Sequence, residues 1–113
     1  MTQEIERLPQ LAAPAEILDL PDQQVVEFAV TKWEDGKLFI TTRGAPVGRF
    51  VRTIRMHVPP EDKPVGAPYW DATAGNLVAR LLPMLDMIVR DRRRLRVTKH
   101  GVAPSARHQV DVL

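Results

Sequence analysis

The chain has no cysteine, which removes disulfides, thiolate zinc sites and cysteine nucleophiles together. Aromatic residues make up only 5% of it, two Trp, one Tyr and three Phe, so a surface that stacks planar ligands has few rings to draw on. Long hydrophobic runs are missing as well. The most apolar stretch, LVARLLPMLDMIV, is interrupted by Arg80, Pro83 and Asp86 and is too short and too polar to span a bilayer. The opening residues, MTQEIERLPQ, lack a basic stretch followed by an apolar one, so no secretory signal is expected and a cytoplasmic location is. No GxxxxGK[ST], GxGxxG or GxSxG pattern is present. Of the three histidines, His57, His100 and His108, the last two could face each other across a hairpin. A third ligand is not evident, so no metal site is expected. Asp71, Asp86 and Asp91 read as a helix cap and two solvent-facing residues, not as an acid–base pair. A non-catalytic protein without a cofactor is the expectation.

What is present suits one domain. The 113 residues are 44% hydrophobic and 27% charged, an ordinary globular composition with enough chain for one modest core. The net charge of +2 is unevenly spread. Residues 1–30 hold six acidic side chains and one basic, a balance of −5, while residues 31–113 hold fifteen basic and eight acidic, a balance of +7. An acidic segment on a basic body suggests an anionic partner for the body. Pro9, Pro14 and Pro21 break up residues 1–22, so these read as a flexible acidic arm, and residues 23–113 as the domain.

From residue 24 the sequence alternates. QVVEFAVTKW is rich in β-branched and aromatic residues and reads as a strand. Asp35-Gly36 reads as a hairpin turn that places Trp33 at its tip. KLFITTR follows as a second strand, with Phe39, Thr41 and Arg43 on one face and Leu38 and Ile40 on the other. GAPVG is a turn, and GRFVRTIRMHV a third strand, with Phe50, Ile54, Met56 and Val58 inward and Arg49, Val51, Thr53, Arg55 and His57 outward. After the proline-rich segment 59–68, the spacing of Leu77, Leu81, Leu85 and Ile88 predicts a helix, capped by Asp71 or Thr73 and kinked or split at Pro83. LRVTKH and RHQVDVL complete the chain as fourth and fifth strands.

The expected class is mostly β, α+β by content, in the order β-β-β-α-β-β. That order resembles OB-fold nucleic-acid-binding domains over residues 23–113. The resemblance rests on element order, without a sequence fingerprint. It implies a five-stranded barrel whose ligand lies across strands 2 and 3, bordered by the first hairpin and the last strand-to-strand loop. The residues so placed are Trp33, Lys37, Phe39, Arg43, Arg49 and Arg55, joined by Arg94, Arg96, Lys99 and Arg107 from RRRLRVTKHGVAPSARH. Cations that track a phosphate backbone, with rings on which bases stack, are what single-stranded DNA or RNA requires. The expected function is an accessory protein of replication, recombination or a mobile element. The alternative is a protein–protein adaptor or homo-oligomeric structural subunit docking through the helix and Tyr69-Trp70, a pair that would otherwise staple the chain onto that helix. Trp33 either folds back on the sheet or meets a ligand.

Overall fold

The structure, a computed structural model, describes residues 2–41, 47–102 and 105–113. Among these, the element order is α1 (Thr2–Arg7), β1 (Val25–Ala29), β2 (Lys32–Ile40), β3 (Arg49–His57), β4 (Tyr69–Ala72), α2 (Gly75–Leu81), α3 (Leu85–Arg90), β5 (Arg94–His100) and β6 (Arg107–Val112). The strands form two antiparallel three-stranded sheets, ordered β1-β5-β6 and β2-β3-β4, and not a closed barrel. The domain is small and mostly β. Among the described residues, no helix is long and apolar enough to cross a membrane.

One core joins the two sheets. Phe28, Leu95 and Val97 come from the first, Ile54, Met56 and Ala72 from the second, and Leu77, Leu81, Leu85 and Ile88 from the helices; all are fully buried. The predicted helical stripe is therefore the buried one. It divides into α2 and α3 around Pro83, whose ring removes a backbone donor and crowds the preceding turn. The helix starts later than expected, because Tyr69–Ala72 is a fourth strand paired with Ile54–His57 of β3. Asp71 is accordingly not a cap. The residue preceding α2 is Ala74, which makes no side-chain cap.

Asp35-Gly36 is not a turn either. Both residues lie inside β2, opposite Ile54 and Thr53. The glycine serves a close approach instead: a Cβ there would stand 2.6 Å from Leu11 Cγ and 2.7 Å from the Pro9 carbonyl oxygen. β2 and β3 instead join through residues 41–48, with Ile40 paired to Arg49. The predicted GAPVG turn falls there, and its first three residues lie outside the described ones.

The segment read as a flexible acidic arm lies along the second sheet. Gln10 bridges Lys37 on β2, and Ile17 bridges Asp71 on β4, so the chain passes from one edge strand to the other. In crossing, it meets the face formed by Leu38, Thr53, Arg55 and Tyr69, all buried, and contributes Leu11 there, while Leu18 enters the core between the sheets. Tyr69 lies under this segment with its hydroxyl donating to the Pro14 carbonyl. Trp70 points the other way, against the core. The docking patch expected from Tyr69-Trp70 is thus split between two occupied faces.

Candidate nucleic-acid interface

The ten expected contact residues do not share a surface. In β3, Arg49 and Arg55 lie on the face turned away from the core, whereas their partners across the ladder set Lys37 and Phe39 of β2 on the opposite face, beside Arg52 and Phe50. The registers of the two strands, invisible in either one alone, decide this.

Arg55 is 3% exposed. Its guanidinium donates to both Asp71 carboxylate oxygens, at 2.8 and 3.1 Å, and to the carbonyls of Ala12 and Pro14 at 2.7 and 3.4 Å. The Tyr69 ring covers it at 3.9 Å. Every direction a phosphate could approach from is taken. Arg55 holds the N-terminal segment to the sheet.

Trp33 sits inside β2, half-buried against the core, and its indole N–H donates to Asp86 Oδ1 at 3.0 Å. It ties β2 to α3. Of the two outcomes open for this ring, folding back on the protein is the one found.

The basic segment 92–108 has half of its six cations, Arg94, Arg96 and Lys99, in ion pairs. Arg94 makes two 3.1 Å hydrogen bonds to Asp62. That bidentate contact, with a hydrogen bond from the Ala29 N–H, holds the Asp62 carboxyl below its ordinary range, and the pair raises the Arg94 pKa. Arg96 meets Glu27 of the neighbouring strand at 2.8 Å. Lys99 is partly buried with Asp19 at 3.6 Å. Arg107 is exposed, with no ion pair among the described residues. Arg43 lies outside the described residues.

One set of side chains does come together. Phe39 and Phe50 face each other across β2 and β3, ring centroids 5.2 Å apart and planes tilted by 59°. They are 53% and 41% exposed. Lys37 Nζ lies 4.7 Å from the Phe50 ring centroid and donates to the Glu6 carbonyl at 3.1 Å. Arg52 makes a bidentate contact with Asp35 at 2.7 and 3.1 Å, and Arg49 is exposed on the reverse face of the same strand pair. Gly48 makes room for this arrangement, since a Cβ there would stand 2.5 Å from Phe39 Cζ.

Phe50 and Arg52 escaped sequence reasoning. Phe50 does share a face with Ile54 and Met56, as alternation requires. Burial fails because β4 pairs only with Ile54–His57. The far halves of β2 and β3 thus run past the end of β4, with the bridge from Gln10 to Lys37 as the backbone neighbour on the β2 edge. The signal available in the sequence was Arg52, a cation between apolar positions on a face otherwise read as core.

No protein family, curated protein or solved structure matches the chain.

Proposed function

We propose that this domain binds single-stranded nucleic acid through the β2–β3 ribbon, with Phe39 and Phe50 as the stacking platform, Lys37 and Arg52 as the cations on the same face and Arg49 as a cation on the ribbon's reverse. The observation that carries this reading is the exposed aromatic pair. Two large rings left half in water, framed by positive charge, suit a base that stacks while its phosphates pass the cations. The sequence implied the same class of ligand, but through an element order and a closed barrel that the fold does not have. The ligand's placement is different, because Trp33 and Arg55 are taken up by contacts within the protein and Arg94 and Arg96 belong to the other sheet.

Phe39→Ala and Phe50→Ala are the tests, with anisotropy of a labelled single-stranded oligonucleotide as the readout. Each substitution is expected to weaken binding by about 1–3 kcal/mol, the usual worth of one stacked base. Melting temperatures should stay nearly unchanged, because neither ring belongs to the core. Unaltered affinity in both variants would reject the ribbon as the interface.

A further inference from the structure

The cleft beside β6, an edge strand of its sheet, gathers charge that the ribbon does not use. It encloses about 440 Å³ and is lined by Arg80, His100, Arg107, His108 and Gln109. Arg80 stands in the last turn of α2 and Arg107 at the start of β6, both exposed. Neither guanidinium has an ion pair or side-chain hydrogen bond among the described residues, unlike Arg94 and Arg96. Two unneutralised arginines on one cleft leave a place for a doubly charged anion.

At the inner side lies His108, 7% exposed. Its tautomer follows from its neighbour. Asn76 donates through Nδ2 to the Ala106 carbonyl at 2.7 Å, which turns Asn76 Oδ1 toward His108 Nδ1 at 2.6 Å. A carbonyl oxygen can only accept, so Nδ1 carries the hydrogen, and in the neutral ring Nε2 carries the lone pair. Nε2 has no partner among the described residues and is not a sealed, unsatisfied atom. Burial lowers the His108 pKa, the Lys99 charge lowers it further, and Asp19 opposes them. The charged and titratable groups around the ring are Arg80 from α2, Lys99 and His100 from β5, Arg107 from β6 and Asp19 from the N-terminal segment. Cations dominate.

The cleft thus pairs strong donors at its rim with an acceptor inside. Its complement is an anion that brings a proton. We infer that it binds hydrogen phosphate, or a terminal phosphomonoester in the singly protonated form it takes at and below about pH 6, whose anionic oxygens accept from Arg80 and Arg107 while the phosphate's own proton is held between a phosphate oxygen and His108 Nε2. Guanidinium donors suit phosphate oxygens by fork geometry. Hydrogen phosphate supplies the proton itself. Sulfate and internal phosphodiesters carry none near neutrality, and would have to protonate the imidazole at a cost.

Isothermal titration with sodium phosphate and sodium sulfate, alongside the His108 ring signals by NMR, tests this on the full chain. At about pH 7.5, where the imidazole is neutral, phosphate is expected to bind about tenfold or more tighter than sulfate. The gap should narrow toward about pH 5.5 as His108 gains a proton. Arg80→Gln and Arg107→Gln, both at exposed positions, are each expected to weaken phosphate about fivefold or more, since each removes a charged donor. Oligonucleotides with and without a 5′-phosphate, offered at about pH 6, where the terminal phosphate is partly protonated, to the Phe39→Ala/Phe50→Ala double variant, separate a strand end from free phosphate as the source and remove the ribbon's contribution. A 5′-phosphate that tightens binding in that background identifies a strand end. One without effect, while inorganic phosphate still binds, identifies a free phosphate. Equal binding of phosphate and sulfate at the higher pH, an unmoved His108 signal, or indifference to both arginine substitutions would overturn the assignment, whatever the ribbon does.

Discussion

The Arg55 guanidinium and the Asp71 carboxylate are buried together, at 4% and 0% side-chain exposure. Desolvation opposes such a pair, and the intact contact adds little net stability. Removing one partner is another matter, since the remaining charge stays buried. Arg55→Ala should cost about 3–5 kcal/mol by urea denaturation; a loss under about 1 kcal/mol would show that Asp71 finds water or another partner. Trp33 is a smaller case of the same kind. Trp33→Ala should lower stability by about 2–3 kcal/mol, somewhat below the range for a fully buried Trp, and leave oligonucleotide affinity unchanged. His108 gives a pH signature. Its folded pKa lies below the ordinary histidine value, so the unfolded chain takes up the proton first and stability falls as pH drops through about 6.5 and below. Asp62 acts lower on the scale: its depressed pKa gives stability above the ordinary carboxylate range, lost as pH falls through the folded value. His108→Gln should therefore flatten the stability profile between about pH 7.5 and 5, leaving the more acidic loss intact. Parallel profiles for the two proteins in denaturant melts would contradict this.

For the elements, the apolar periodicity was legible and the exceptions had physical causes. Leu77, Leu81, Leu85 and Ile88 marked the buried helical face, and Pro83 its division. β5 and β6 lie where LRVTKH and RHQVDVL stood out. Gly36 misled because a glycine that admits a neighbouring backbone looks, in one sequence, like a glycine that turns a chain. Tyr69–Ala72 misled because four residues leading into a helix carry too few alternations to declare a strand, although Tyr and Trp favour one. Prolines in residues 1–22 argued against a regular helix across them, and only the six-residue α1 forms, ahead of Pro9. They did not argue against docking, which here uses backbone bridges and the carbonyls that Arg55 accepts as partners. Deleting residues 1–22 removes the buried Leu11 and Leu18 and uncovers Leu38 and Tyr69. The truncated protein is expected to melt about 10 °C or more lower, a few kcal/mol at this chain length. An unchanged melting temperature would mean that the segment only rests on the sheet.

Across the whole molecule, the charge asymmetry between residues 1–30 and 31–113 is largely consumed internally. Glu16 meets Lys63, Asp19 meets Lys99 and Glu27 meets Arg96. The candidate site was correspondingly half legible: Lys37, Phe39 and Arg49 stand on the ribbon strands, while three of the six cations in the arginine-rich segment, Arg94, Arg96 and Lys99, answer the protein's own acids. Composition counts charges but not their partners. With about three cations at the ribbon, log K should fall against log salt with a slope of roughly −2 on single strands. The most direct measurement is amide chemical-shift mapping on the labelled protein during titration with a 5′-hydroxyl single-stranded oligonucleotide at low salt. Shifts are expected to concentrate at Lys37–Ile40 and Arg49–Arg52, with Arg94–Lys99 little affected. Shifts centred on β5 instead, or none anywhere at saturating oligonucleotide, would contradict the account.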